Sequence, residues 1–298
     1  MMVKHWITAM RLRTLPLAAA GILAGSAGLK IEIYSSSIFV LALLTALALQ
    51  IFSNLANDYG DFQNGADGKD RVGPTRMVQS GNISAEQMKR GLYVSGAIAF
   101  ALGILLLNEV FVVKKNWLGF GLYLGLGISA IWAAFRYTAG KNPYGYKGLG
   151  DLFVFLFFGV VSVLSMSYFL SGNVGVMAIL NTVIVGMLSM AVLHLNNLRD
   201  HVSDAKAGKH TLVVKLGFEK GKKLHFIWLG AAFLAAVAQV FITTPHYAFY
   251  LLPFTILVVH AKKVFYCTNP QLLDSELKKV ALSTFAIALL LLIFLPNV

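Results

Sequence analysis

The chain has 298 residues, 57% of them hydrophobic and 13% charged, with a mean hydropathy of +0.71 and a formal net charge of +12. Soluble domains carry about 25% charged residues, so a water-soluble globular fold is excluded, and the longest polar stretch, residues 58–90, is too short for a core of its own. The basic excess forms no stripe interleaved with aromatics, which argues against nucleic acid as a partner, and the single Cys267 excludes an intrachain disulfide.

What remains is one integral domain over 1–298 set in a lipid bilayer. A helix crosses the hydrocarbon core, about 30 Å thick, in roughly 20 apolar residues. In chain order the predicted spans are 15–33, 38–57, 92–113, 117–137, 152–170, 174–196, 224–242, 247–264 and 277–295. Each run is continuously apolar, without the period-2 alternation of a transmembrane barrel, so each satisfies its backbone internally as a helix. The first run follows basic residues and contains Ala24, Gly25 and Ser26, as a secretory signal does, but it reads as an uncleaved span. The predicted fold is all-α and polytopic, with nine transmembrane helices.

The second span ends in NLANDYGDFQNGADGKDRVGP, residues 54–74. Asn54, Asn57, Asp58 and Asp61 stand at i, i+3, i+4 and i+7, on one helical face. Carboxylates at that depth turn away from lipid, toward a bundle interior or a watery cavity, and need a cation there. Beyond them Gly65, Gly68 and Gly73 let the loop fold back, so that Asp67 and Asp70 approach the same point. After the fourth span comes YTAGKNPYGYKGLGD, residues 137–151. It carries Lys141 and Lys147 and lacks both the spacing and the preceding strand of a phosphate-binding loop. Tyr137, beside Arg136, is a candidate for stabilising a cation through its ring face, with Tyr144 and Tyr146 behind it. The sixth span ends in HLNNLRDHVSDAKAGKHTL, residues 194–212, where Asn197, Asp200 and Asp204 again share a face. His194 and His201 flank this second cluster in no metal-ligand pattern and read as hydrogen-bonding groups.

Spans two and six are both even-numbered, so the two acidic ends reach the same side. With an inside N-terminus, 22 of the 25 Lys and Arg residues fall in cytoplasmic segments, leaving Lys30, Lys114 and Lys115 outside. That bias satisfies the positive-inside rule and places the C-terminus opposite the N-terminus. Two facing carboxylate clusters with oxygen-only donors suit Mg²⁺ or Mn²⁺ over zinc, and Mg²⁺ binds through a few carboxylates together with substrate phosphates. Lys69, Arg71, Arg76, Lys206 and Lys209 are interleaved with the acids, placed to stabilise charge on a departing diphosphate. A transporter is the reading from another class, but it calls for ionisable groups near mid-bilayer, where these spans have almost none.

NDYGD (57–61), DHVSD (200–204) and YTAGK (137–141) resemble the NDxxD, DxxxD and YxxxK elements of the UbiA superfamily of intramembrane aromatic prenyltransferases. The family's further Asp, four residues after the first motif, falls here on Gly65, with Asp67 the next carboxylate. That departure, the RVGP that follows, and MRLRTLP at 10–16 are similar to the menaquinone branch. The resemblance implies a central cavity open to lipid and capped by cytoplasmic loops, in a plasma (inner) membrane protein. It implies a polyprenyl diphosphate donor, 1,4-dihydroxy-2-naphthoate as acceptor, and Mg²⁺ as cofactor; another aromatic acid such as 4-hydroxybenzoate is the alternative acceptor. By matched position Asn57, Asp58, Asp61, Asp200 and Asp204 are expected to hold metal, with Asp67, the next carboxylate after Gly65, as a further metal candidate, and Lys141 to pair with the diphosphate. Tyr137 completes the expected catalytic set. Asn54, Arg71, Asn197 and Lys209 are expected at the substrate, with Arg76 and Lys147 as candidates for the acceptor carboxylate.

Overall fold

The computed structural model describes residues 2–29, 36–66, 73, 75–243 and 245–295, and all regular structure among them is helical. A short amphipathic helix, α1 (Met2–Met10), precedes α2 (Leu15–Ser26). The two are separated at Arg11, whose backbone takes the left-handed conformation (φ 49°). There follow α3 (Ser37–Gln63), α4 (Ala85–Leu107) and α5 (Trp117–Arg136). A third stretch, α6 (Gly150–Val154), passes through widened π-type turns at Phe155–Leu164 into α7 (Ser165–Ser171). The remainder is α8 (Val176–Lys206), the short α9 (Leu212–Leu216), α10 (Phe218–Ile242), α11 (Phe254–Tyr266) and α12 (Asp274–Phe294).

Among the described residues, nine helical stretches are long and apolar enough to cross a membrane, the number and order that the sequence predicts. Some boundaries fall short of the prediction, α2 ending at Ser26 instead of 33, while others overrun it. α3 continues six residues past the predicted end to Gln63, α8 ten residues to Lys206, and α4 begins at Ala85. Hydropathy marks where lipid ends, whereas a helix continues until a cap or breaker stops it. The extensions are polar helical turns standing beyond the apolar zone, and both acidic motifs lie on them. Capping fixes some of the starts: Ser84 accepts from Gln87 N–H while Gln87 answers to Ser84 N–H, and Ser36 accepts from Phe39 N–H.

Helix association in lipid lacks a hydrophobic drive and relies on close packing and polar pairs. α8 is the central post: 61% of its most apolar stretch is buried, against 6% for α5 at the periphery. The α6–α7 span crosses α8 at Gly159 and Gly186, where a Cβ on Gly159 would lie 2.8 Å from the Gly186 Cα, so nothing larger fits. Behind α8, buried polar side chains pair across α10, α11 and α12. Asn181 donates to the Ala24 carbonyl (2.8 Å) and accepts from Gln239 (2.7 Å). His194 stands between Asp151 (2.9 Å) and the Gly221 carbonyl (2.9 Å), and His260 between His225 (2.8 Å) and Glu276 (2.9 Å). These bonds make one side of the bundle a rigid wall. The other side, built from α2 to α5, is more loosely filled and holds a cavity of about 460 Å³. Phe100, Leu126 and Ile128 line that cavity and are 44%, 40% and 52% exposed, so it opens sideways toward lipid between α4 and α5.

Candidate active site

The polar end of the cavity forms where the extensions of α3 and α8 meet the 137–151 connection and the segment after α8. Asn57, Asp61, Tyr137, Asn197, Asp200, Asp204, Arg76 and Lys209 all line it. Asp61, 1% exposed, is the focus. Its Oδ1 accepts from the Tyr146 hydroxyl (2.9 Å) and Lys209 Nζ (3.0 Å), and its Oδ2 accepts from Arg76. Lys209 Nζ also lies 3.8 Å from Asp204 Oδ1 and 4.9 Å from the centre of the Tyr146 ring. One ammonium therefore bridges a carboxylate of the first motif and a carboxylate of the second.

Asp200 lines the cavity, yet its carboxylate is forked by the neighbouring Arg199 (Nε 2.7 Å, Nη2 2.5 Å), which also holds Asp274 (2.5 Å) and the Asn196 side-chain Oδ1 (2.6 Å). Asn54 lines the cavity too, with its side chain tied down. Its amide donates to the Met10 carbonyl (2.9 Å) and the Thr14 hydroxyl (2.9 Å), fastening the α1–α2 turn that brings Arg11 and Arg13 to the cavity. Thr138 donates to the Ala56 carbonyl and the Asn57 side chain, both at 3.2 Å, tying YTAGK to α3.

Three expected residues stand elsewhere. Asp58 is off the cavity, with both carboxylate oxygens accepting backbone N–H groups, from Met77 (2.9 Å) and Val78 (3.2 Å). At about 100° per residue it falls on the flank of the acidic stripe rather than at its centre, and that flank faces the 76–78 turn. Lys141 and Lys147 are exposed, outside the cavity wall. Their carbonyls are held by Arg136 (2.8 Å) and Lys215 (2.7 Å), which turns their side chains to the surface. Asp67, Asp70, Lys69 and Arg71 lie outside the described residues.

An aromatic wall adjoins the charged end. Tyr144 stacks on Phe153 (4.0 Å between centres), Phe153 on Phe157 (6.2 Å), and Tyr137 meets Tyr144 edge to face (5.5 Å). Burial, reinforced by Asp151, pushes the Tyr137 phenol well above its ordinary value, and burial likewise raises Tyr144. Both stay protonated at neutral pH and present neutral ring faces, the Tyr144 hydroxyl donating to the Ala133 carbonyl (2.9 Å). The sequence reading did not single out Arg11, Arg13, Thr138 or Phe153. The two arginines figure in the sequence only as topology charges and within MRLRTLP, and Phe153 is hidden in an apolar run.

The donor set suits a divalent hard cation. Among the described residues no three His, Cys, Asp or Glu side chains gather to hold a metal alone. Asp61 and Asp204 already share one cation, and both offer oxygen only. A metal there requires further oxygen ligands from the substrate, as Mg²⁺ commonly does.

Residues 14–290 match the model of the UbiA prenyltransferase family. The chain belongs to that family. A 1,4-dihydroxy-2-naphthoate octaprenyltransferase of Haemophilus influenzae is 40% identical over 97% of this chain and 93% of its own length. One of the same description from Escherichia coli is 43% identical over 74% of this chain and 71% of its own. A UbiA homologue from Archaeoglobus fulgidus, solved bound to GPP and Mg²⁺, superposes with a TM-score of 0.66 at 14% identity, covering 97% of this chain and 99% of that one. This last likeness is one of fold: the UbiA fold holds the cavity and brings the two acidic motifs to one end of it.

Proposed function

We propose that the chain transfers a polyprenyl group from its diphosphate to 1,4-dihydroxy-2-naphthoate, releasing carbon dioxide and diphosphate and giving a demethylmenaquinol. The observation that carries this reading is the Asp61–Lys209–Asp204 bridge at the head of an apolar cavity open to lipid. A diphosphate needs the first and an isoprenoid tail the second. The relatives' description supports the naphthoate as acceptor.

Asp61 and Asp204 would hold the divalent cation, with Asn57 and Asp200 beside them. When bound, that cation offsets diphosphate charge as a Lewis acid. Lys209, Arg76 and the Tyr146 hydroxyl gather at Asp61 and supply preorganised positive charge and hydrogen-bond donors where the leaving group accumulates negative charge. As the allylic C–O bond breaks, its electron pair leaves with the diphosphate. The ring faces of Tyr144, Phe153 and Tyr137 stabilise the allylic cation by about 0.5–2 kcal/mol each, and the dry wall of α4 and α5 keeps water from capturing it. The naphthoate carbon bearing the carboxylate gives an electron pair to the allylic carbon. The bond to the carboxylate then breaks, returning its pair to the ring as carbon dioxide departs. The N-terminus and the acidic ends of α3 and α8 face the cytoplasm, with the C-terminus opposite.

The deciding experiment supplies the purified, reconstituted protein with a polyprenyl diphosphate, Mg²⁺ and either aromatic acid. The expected product has the mass of the naphthoate plus the prenyl group less carbon dioxide, and its formation stops with EDTA and resumes with added Mg²⁺. Prenylation of 4-hydroxybenzoate alone would overturn the assignment of acceptor while leaving the chemistry.

A further inference from the structure

We infer that the acceptor ring lies along one stripe of α8, and that Ser189 binds its distal hydroxyl, the one on the ring carbon para to the other hydroxyl and remote from the carboxylate. The inference rests on the function proposed above. The cavity has two unlike walls. α4 and α5 contribute only apolar side chains to it, apart from Tyr123, and so suit a hydrocarbon tail. α8 contributes Ser189, Leu193, Asn196, Asn197 and Asp200, positions that recur at helical spacing down one face.

Two polar groups on that face lack partners among the described residues. Ser189 is 2% exposed and its hydroxyl makes no hydrogen bond. A buried helical Ser or Thr ordinarily bonds back to the carbonyl four residues earlier, as Thr182 on the same helix does (2.9 Å) and Thr284 on α12 does (2.8 Å). Ser189 does not, so its hydroxyl is kept for something else. Asn197, 7% exposed, is likewise without a side-chain hydrogen bond, while its neighbour Asn196 is engaged by Arg199. Ser189 and Asn197 are eight residues apart, about 12 Å along the axis at a rise of about 1.5 Å per residue. A hydrogen bond of about 2.9 Å at either end leaves about 6 Å between them, the reach of one benzenoid ring from a carboxylate to a hydroxyl in the meta position. An acceptor so placed has its carboxylate and reacting carbon near Asn197, one turn from Asp200, and its second hydroxyl at Ser189. The tail lies across the cavity against α4 and α5.

The test compares Ser189→Ala with the wild type on two acceptors, 1,4-dihydroxy-2-naphthoate and 1-hydroxy-2-naphthoate. The analogue keeps the carboxylate and the activating hydroxyl beside it and lacks only the distal one. Wild type should favour the full acceptor, since a site built for a hydroxyl rejects an analogue without it. Ser189→Ala should lose about tenfold in kcat/KM on the full acceptor, the scale of one neutral hydrogen bond, and less than about twofold on the analogue. KM for the polyprenyl diphosphate should not move, which also reports an intact fold. Equal losses on both acceptors, no loss on either, or a parallel rise in the diphosphate KM would overturn the assignment. Failure of the wild type on the naphthoate would instead strike the proposed function itself.

Discussion

Asp58 and Asp61 stand three residues apart in one motif and do different work. Asp61 takes three donors at the head of the cavity, whereas Asp58 spends both oxygens on the backbone of the 76–78 turn. Asp61→Asn removes the charge that buried Arg76 and Lys209 answer to, and at temperatures where the variant is still folded it is expected to lower kcat at least about a hundredfold, far more than the loss from Asp58→Asn. Asp58→Asn leaves one backbone N–H facing an amide NH₂, a cost of about 1–3 kcal/mol, so it should lower the unfolding temperature as well as activity. Measuring Tm and kcat for both variants separates the roles; matching profiles would refute the division. The tyrosines give a second check. With Tyr137 and Tyr144 raised above the ordinary 10.0 by burial, both remain un-ionised in the folded protein at pH 10, where unfolded tyrosines are half ionised. As pH rises further, the unfolded chain loses these protons and the folded one cannot, so stability falls. A phenolate absorbance titration of the wild type against Tyr137→Phe should show no amplitude from Tyr137 below pH 10, and any such amplitude there would contradict the burial argument.

At the scale of elements, the contact between α3 and the 137–151 connection positions the first motif. A Cβ on Gly60 would come within 2.6 Å of the Thr138 and Ala139 backbone, so only glycine lets YTAGK seat against α3. Gly60→Ala pushes that connection away and loosens Tyr137, Thr138 and Tyr146 together. A stability loss of about 1–3 kcal/mol, the usual range for overpacking, should accompany a fall in kcat larger than that of Thr138→Val, which removes only the hydroxyl's bonds to Ala56 and Asn57. If Gly60→Ala folded and worked normally, this contact would not be what sets the site. The reach of the helices was partly legible in the sequence. The i, i+3, i+7 spacing past residue 57 and past residue 196 is helical, yet the apolar runs stop there and the predicted boundaries stop with them. The break at Arg11 was not legible, because a left-handed arginine has no sequence signature and the turn around it is held by Asn54, whose amide reaches the Met10 carbonyl 44 residues away.

For the whole molecule, the packing is asymmetric: a polar-bonded wall of α8, α10, α11 and α12 faces a lipid-open side of α4 and α5. The orientation in the membrane is a separate matter, resting on the charge bias. In a Cys267→Ser background, Lys141→Cys should react with an impermeant maleimide in inverted vesicles, and Lys114→Cys in right-side-out ones. Both positions are exposed in the fold. The opposite pattern would reverse the proposed topology and put the active site outside.

By itself the sequence determined the membrane class, the nine helices and their order, and the pairing of two acidic motifs at one end. All of these follow from local composition and period, which one-dimensional text preserves. Only the tertiary structure decided which members of those motifs meet. Lys209 bridges Asp61 and Asp204 because the segment after α8 folds back across the end of α3, and Lys141 faces outward because Arg136 holds its carbonyl. Helical spacing fixes a residue's azimuth on its own helix. What stands opposite that azimuth is set by how neighbouring helices and loops pack, and that contact is absent from any single stretch of chain.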